Sequence, residues 1–383
     1  MNSIGALIAA EPVQKKRNVN LDLLKVMSII AVVGLHAFYD MPGAAGKILY
    51  CLCSFAVPVF FMCSGYVILT RGYVDWVYSL RKTAKIAFLI FMWNAIVFLI
   101  HFVPDTFGMG RPDTYTWSTF PKQVLDGALT QGNMWVLWFM ITLMIIYITL
   151  PLLTTILYPR PGKRHSEYSF KMRASVFWMF LAAACLLMAL MSSIYAMPIQ
   201  SKVPEAFRMW TWYFYFVTGA LMKDALPWVK EHISIKWHVF LLVLITAAVI
   251  IYFFVSGNVI FLNDRFGWDF EDYLQRSLFS GRFDVRAEYL YDSAIIMVWA
   301  AAIFTLIMRL DIKPGLASFT EAAAPLTLGI FVLHPTTMSV FRKYFEYRTV
   351  GGSIGIFFFG LLITALIVFI ISKTPLNKWL LKI

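Results

Sequence analysis

One stretch of this chain gathers the residue types that proton and group transfer require. It reads Asn20-Leu-Asp22-Leu-Leu-Lys25-Val-Met-Ser-Ile-Ile-Ala-Val-Val-Gly-Leu-His36. Three ionisable side chains stand in a segment that is otherwise apolar. In lipid each would cost at least a few kcal/mol, so such groups face a protein interior or a wet cavity. Lys25 and His36 are eleven residues apart, about 1100° at ~100° per residue, only ~20° beyond three full turns. Asp22 stands one turn before Lys25, on the same face and within pairing reach. Asp22, Lys25, Ile29, Val32 and His36 thus form one stripe, with the imidazole ~16 Å along the axis from the lysine. A histidine can take a proton from an attacking hydroxyl near neutral pH. A cation at the other end can hold a phosphorylated donor. A snorkelling lysine, a helix-start aspartate and a packed histidine would explain each residue singly. Their alignment favours a shared role.

The elements that hold this stripe are membrane spans. Of 383 residues, 60% are hydrophobic and 14% charged, well below the roughly 25% charge of a soluble domain. Apolar runs of about 20 residues, the length that crosses a hydrocarbon core, recur at 21–40, 48–70, 84–103, 134–157, 174–197, 209–222, 237–256, 289–309, 322–341 and 353–372. The expectation is an all-α, polytopic membrane bundle of about ten helices. A segment 1–20 precedes it, and a tail 373–383 follows it. Long loops at 104–133 and 257–288 carry aromatic and charged residues, as binding covers or interfacial segments do. No signal peptide is expected: Ile4 to Ala10 is too short, and the basic run Lys15-Lys16-Arg17 follows it. Cys51, Cys53, Cys63 and Cys185 fall in apolar runs and read as small buried hydrophobes. No zinc spacing, phosphate loop or nucleophile elbow occurs, and no metal is expected.

The net charge of +12 is a topology signal rather than a nucleic-acid footprint. With the N-terminus in the cytoplasm, lysines and arginines concentrate in the inside segments, as the positive-inside rule requires. Both termini are then cytoplasmic. Residues 342–352, on the outer side, are more basic than the rule favours.

Further along, an ordered set of motifs joins the Lys25–His36 pair. Phe60-Phe61-Met62-Cys63-Ser64-Gly65-Tyr66 closes the second run, and Arg81-Lys82-Thr83-Ala84-Lys85 follows it. Trp135-Val-Leu-Trp138-Phe139 leads the fourth run, with Tyr147 and Pro151 after it. Leu328-Gly329-Ile330-Phe331-Val332-Leu333-His334 stands late in the chain. In order and span count the set resembles the acyltransferase 3 family of integral-membrane O-acyltransferases, from about residue 20 to 370. Its likeness is greatest to bacterial members that O-acetylate surface polysaccharides. Two departures stand out: lysine replaces arginine at position 25 and in the Lys82/Lys85 element. The charge is kept and the bidentate fork is lost.

The resemblance implies an O-acetyltransferase of the bacterial inner membrane. Acetyl-CoA would be the cytoplasmic donor, and a glycan or lipid-linked saccharide would be the acceptor at the outer face. His36 would be the general base, with Lys25 and Asp22 beside the chemistry. Arg81, Lys82, Lys85 and Arg71 would hold the donor's phosphates. Ser64 falls with this donor-side set, although a Ser64-Gly65 pair also suits close helix packing. Trp135, Trp138 and His334 would line the acceptor's side, with Glu205, Arg208, Arg265, Asp269 and Asp292 as undifferentiated outer charges. A secondary transporter of a small polar solute is the competing reading. It would explain intramembrane charge, but the prolines at 58, 151, 325 and 335 lack the symmetry of duplicated halves.

Overall fold

The computed structural model describes residues 17–106, 117–128, 134–158, 167–194, 203–261 and 287–381. Within these residues every regular element is helical. All ten apolar runs fall on helices: α1 (Val19–Phe38), α2 (Gly43–Cys53), α3 (Ala56–Ile68), α4 (Trp76–Thr106), α5 (Phe120–Ala128), α6 (Trp138–Leu157), α7 (Glu167–Ile194), α8 (Met209–His232), α9 (Ile235–Phe261), α10 (Ala294–Met308), α11 (Pro314–Ala323), α12 (Thr327–Phe341) and α13 (Val350–Ser372). Among the described residues eight helical segments are long and apolar enough to cross a bilayer, and Ala294–Met308 is a shorter apolar helix. The chain is a polytopic membrane bundle.

The span that carries the Asp22–Lys25–His36 stripe occupies the centre. Seventy-two per cent of the α1 segment is buried, against 11% of α7. It packs on α2, α3, α10, α11, α12 and α13, so a side chain on almost any of its faces meets protein. That surround accommodates Asp22, Lys25 and His36. The helix starts cleanly because the Asn18 side chain accepts the Asn20 and Leu21 N–H groups, which would otherwise be unsatisfied. Asn20 Nδ2 in turn donates to the Ile307 and Leu310 carbonyls at 2.7 and 2.8 Å, tying the start of α1 to the end of α10.

Three expectations are corrected. The second run is broken at Ser54–Phe55 into α2 and α3. Pro58 cannot donate to the carbonyl four residues back and clashes with it, and the Ser54 hydroxyl caps the Cys51 carbonyl at 2.7 Å. The ninth run starts earlier, at Pro314, and a 3₁₀ turn at Ala324–Leu326 containing Pro325 splits it into α11 and α12. Finally, residues 117–128, expected in a loop, form a 3₁₀ turn and α5, with Gln123 Nε2 donating to the Asn94 carbonyl at 3.1 Å. Most of 257–288, the remainder of 104–133, and Lys15 and Lys16 lie outside the described residues.

Close packing fixes the wall behind the centre. A Cβ on Gly65 would strike the Phe216 carbonyl of α8, and one on Gly219 would strike the Met62 carbonyl of α3. Two small residues let these backbones touch, as in other membrane helix pairs. Ser64 donates only to the Phe60 carbonyl of its own helix, at 3.0 Å.

Candidate functional site

The α1 stripe forms as its spacing requires. Ile29 and Val32 are both 2% exposed, and His36 is half-buried at the far end. Lys25 Nζ stands 3.6 Å from Asp22 Oδ1. Asp22 is buried and also pairs with Arg17, a partner that the sequence reading did not assign. Lys25 therefore shares its carboxylate with a second cation. Cys63 of α3 lies within electrostatic reach of both Asp22 and Lys25, so α3 walls this end.

Around His36 the bundle opens into a cavity of about 340 Å³, bounded by Val32, His36, Asp40, Trp135, Trp138, Glu205 and Arg342 among others. The Trp135 ring meets the imidazole edge to face, 4.6 Å between centroids and 87° between planes. Trp138 is 7% exposed and packs on Trp212 at 5.0 Å, as part of the aromatic wall. His334 of α12 also meets His36, its ring stacked at 5.2 Å and 15°. Four residues assigned from the sequence, His36, Trp135, Trp138 and His334, thus converge on one place.

His334 is wholly buried. Its Nδ1 lies 3.1 Å from the Ile330 carbonyl; a carbonyl only accepts, so Nδ1 carries the proton. Nε2 is then the lone-pair nitrogen, and it has no partner among the described residues. Buried nitrogens without a partner are uncommon. Pro335, which follows, cannot donate to the Phe331 carbonyl, and Phe331 itself lines the cavity.

Of the undifferentiated outer charges, Glu205 reaches the cavity. It accepts from Arg208 Nη2 at 3.3 Å, and Arg208, 2% exposed, also donates to the Val203 carbonyl. Asp292 is instead bound up in packing: it is buried and accepts from Trp210 Nε1 at 3.2 Å and from Thr211. Arg265 and Asp269 lie outside the described residues.

The second cationic set sits at the Lys25 end of the bundle, where α3 finishes and α4 begins. Arg71 Nη1 is 3.2 Å from the Tyr78 hydroxyl, and Lys82 Nζ stands 5.8 Å from the centre of the Tyr78 ring. Lys85 and Arg71 both lie close enough to Lys82 to repel its charge. Arg81 is exposed one turn from Tyr78 and Lys85. Asp75 stands close by, accepting the Tyr78 N–H at 2.7 Å, but among the described residues none of these four cations forms an ion pair, and such a set suits a polyanion such as a phosphorylated nucleotide. Tyr78, which organises the set, was not assigned from the sequence; a tyrosine one helical turn before Lys82 was the available signal.

Arg342 is the other omission. Its Nη2 donates to the His36 carbonyl at 2.9 Å across 306 positions of sequence, and its side chain lines the cavity.

A family model for an acyltransferase domain matches residues 18–373. No curated protein and no solved structure matches the chain.

Proposed function

The chain belongs to the acyltransferase 3 family, and from that premise we propose that it moves an acetyl group from acetyl-CoA to a hydroxyl of a cell-surface or lipid-linked glycan, working at the outer face of a bacterial inner membrane. The coarser part needs no proposal: the protein is a membrane acyltransferase. The finer part is carried by one observation. A single unbroken helix joins a cation-rich end to a cavity lined by an imidazole.

Arg71, Lys82 and Lys85 would hold the donor's phosphates, with Arg81 beside them and Tyr78 arranging the set. Lys25, oriented by Asp22, would contact the polar part of the donor's arm where it enters the bundle. Ser64 would fall on the donor's side of the bundle, its hydroxyl donating to the Phe60 carbonyl of its own helix next to the Gly65 that packs on α8. Trp135 and Trp138 offer aromatic faces to a sugar.

His36 takes the proton of the attacking hydroxyl as that oxygen bonds to the acyl carbon. The carbon–sulfur bond breaks, and the imidazolium returns the proton to the departing sulfur. An ester and a free thiol result. His334, with Nδ1–H fixed on a carbonyl, keeps a neutral imidazole stacked on the base throughout.

The test is acceptor-dependent release of thiol from acetyl-CoA by the purified protein, with mass spectrometry of the glycan for a gained acetyl mass. Solute uptake into liposomes without thiol release would replace this reading with a transporter.

A further inference from the structure

The loop between α12 and α13 is positively charged at the end of the bundle where the proposed topology disfavours it. Arg342, Lys343 and Arg348 are all exposed, and among the described residues none has a carboxylate within ion-pair distance. Glu346, the loop's own carboxylate, pairs with none of them. Yet the loop is tightly wound. Thr349 caps α13 by accepting the Gly352 N–H, and Ser353 Oγ donates to the Tyr347 carbonyl at 2.8 Å. A side chain on Gly352 would collide with the Glu346 carbonyl.

Tyr347 collects two of the cations. The Arg342 guanidinium lies 5.8 Å from its ring centre and the Arg348 guanidinium 5.4 Å. Cation–π attraction of this kind is modest at exposed sites, and it holds two like charges side by side that otherwise repel. Arg342 is further pinned by its bond to the His36 carbonyl. Arg342 lines the cavity that holds the imidazole, and Arg348 is gathered onto the same Tyr347 ring, so both guanidinium groups are preorganised on this loop. Asp40 and Glu205 also line this cavity; Glu205 is held by Arg208, and among the described residues neither carboxylate lies within ion-pair distance of Arg342, which keeps its charge for a ligand.

We propose that Arg342 and Arg348 bind an oxyanion, a carboxylate or phosphate, carried by the acceptor, so that this enzyme selects an acidic glycan over a neutral one. The planar guanidinium suits both groups through paired N–H donors. The inference rests on the reading of His36 as the acceptor-side base. The phosphates of bilayer headgroups offer the same chemistry, and the experiment separates the two sources.

Binding of a glucuronate-containing tetrasaccharide and of its carboxyl-reduced, neutral counterpart is measured on the full chain in phosphatidylcholine nanodiscs. The acidic saccharide is expected to bind about tenfold tighter, the worth of one charge-assisted hydrogen bond. That gap should close in Arg342→Gln and in Arg348→Gln. Equal affinities for the wild type, no binding of either saccharide, or a gap that survives both substitutions overturns the proposal. So does a result in which the variants lose only added phosphatidylglycerol while the wild type treats the saccharides alike, since the rim is then a lipid anchor. Acetyl-CoA binding and thiol release by the same preparations report on the acyltransferase reading separately, because the donor's cations sit at the opposite end of α1.

Discussion

The imidazole of His334 lies nearly parallel to that of His36, 5.2 Å away, although 298 residues separate them in the chain. Each ring brings something the other lacks. His36 is open to the cavity, whereas His334 is sealed and locked in one tautomer by the Ile330 carbonyl. A stacked neutral ring supports a partner that gains a proton without competing for it.

His36→Ala is expected to lower kcat by about 10²–10⁴-fold, the usual worth of a positioned general base. The protein should still insert and still bind CoA. Wild-type turnover by this variant would remove the base assignment.

His334→Phe retains an aromatic ring against His36 but removes both nitrogens. A fall in kcat of about tenfold or more, with KM for the donor little changed, is expected. If turnover is unchanged while the melting temperature falls, His334 is a packing residue and nothing else.

The Lys82→Gln/Lys85→Gln double variant should weaken CoA binding by about tenfold. Both lysines are partly exposed, so the loss should shrink as salt rises. Titration at low and high ionic strength checks it, and equal CoA affinity in the variant would refute the phosphate role.

Gly65→Ala and Gly219→Ala should each destabilise the bundle by about 1–3 kcal/mol, the usual cost of overpacking. The obstructing atoms are backbone carbonyls rather than side chains that could rotate away. Thermal unfolding in detergent reads the effect, and unchanged melting would mean that α3 and α8 stand further apart.

Much of this architecture was legible because membrane helices carry their signal locally. Each apolar run found its helix, and the Lys25–His36 register followed from helical periodicity alone. Periodicity also placed Ile29 and Val32 on the buried face between them. What escaped was set by tertiary neighbours. The Arg17–Asp22 pair is the local exception, only five residues apart, and it escaped because Arg17 reads with the basic run Lys15-Lys16-Arg17 as a topology signal. No periodicity links Arg342 to the carbonyl of His36, since α1 and the end of α12 meet only after folding. The break before α3 had a local cause in Pro58, but a proline in a span can kink a helix or divide it, and the Ser54 cap decided the matter. His334 was found through its motif, whereas its orphaned nitrogen became visible only once the carbonyl of Ile330 was in place.

Helix α1 runs from Val19 to Phe38 without a proline or an interruption, which makes it a stiff gauge. The span from Lys25 to the imidazole is set by helical rise and does not adapt to what is bound. A thioester truncated to acetyl-cysteamine could not be gripped at one end and presented at the other. For a donor held as proposed, this fixed rise sets the reach required between the cationic end and the imidazole.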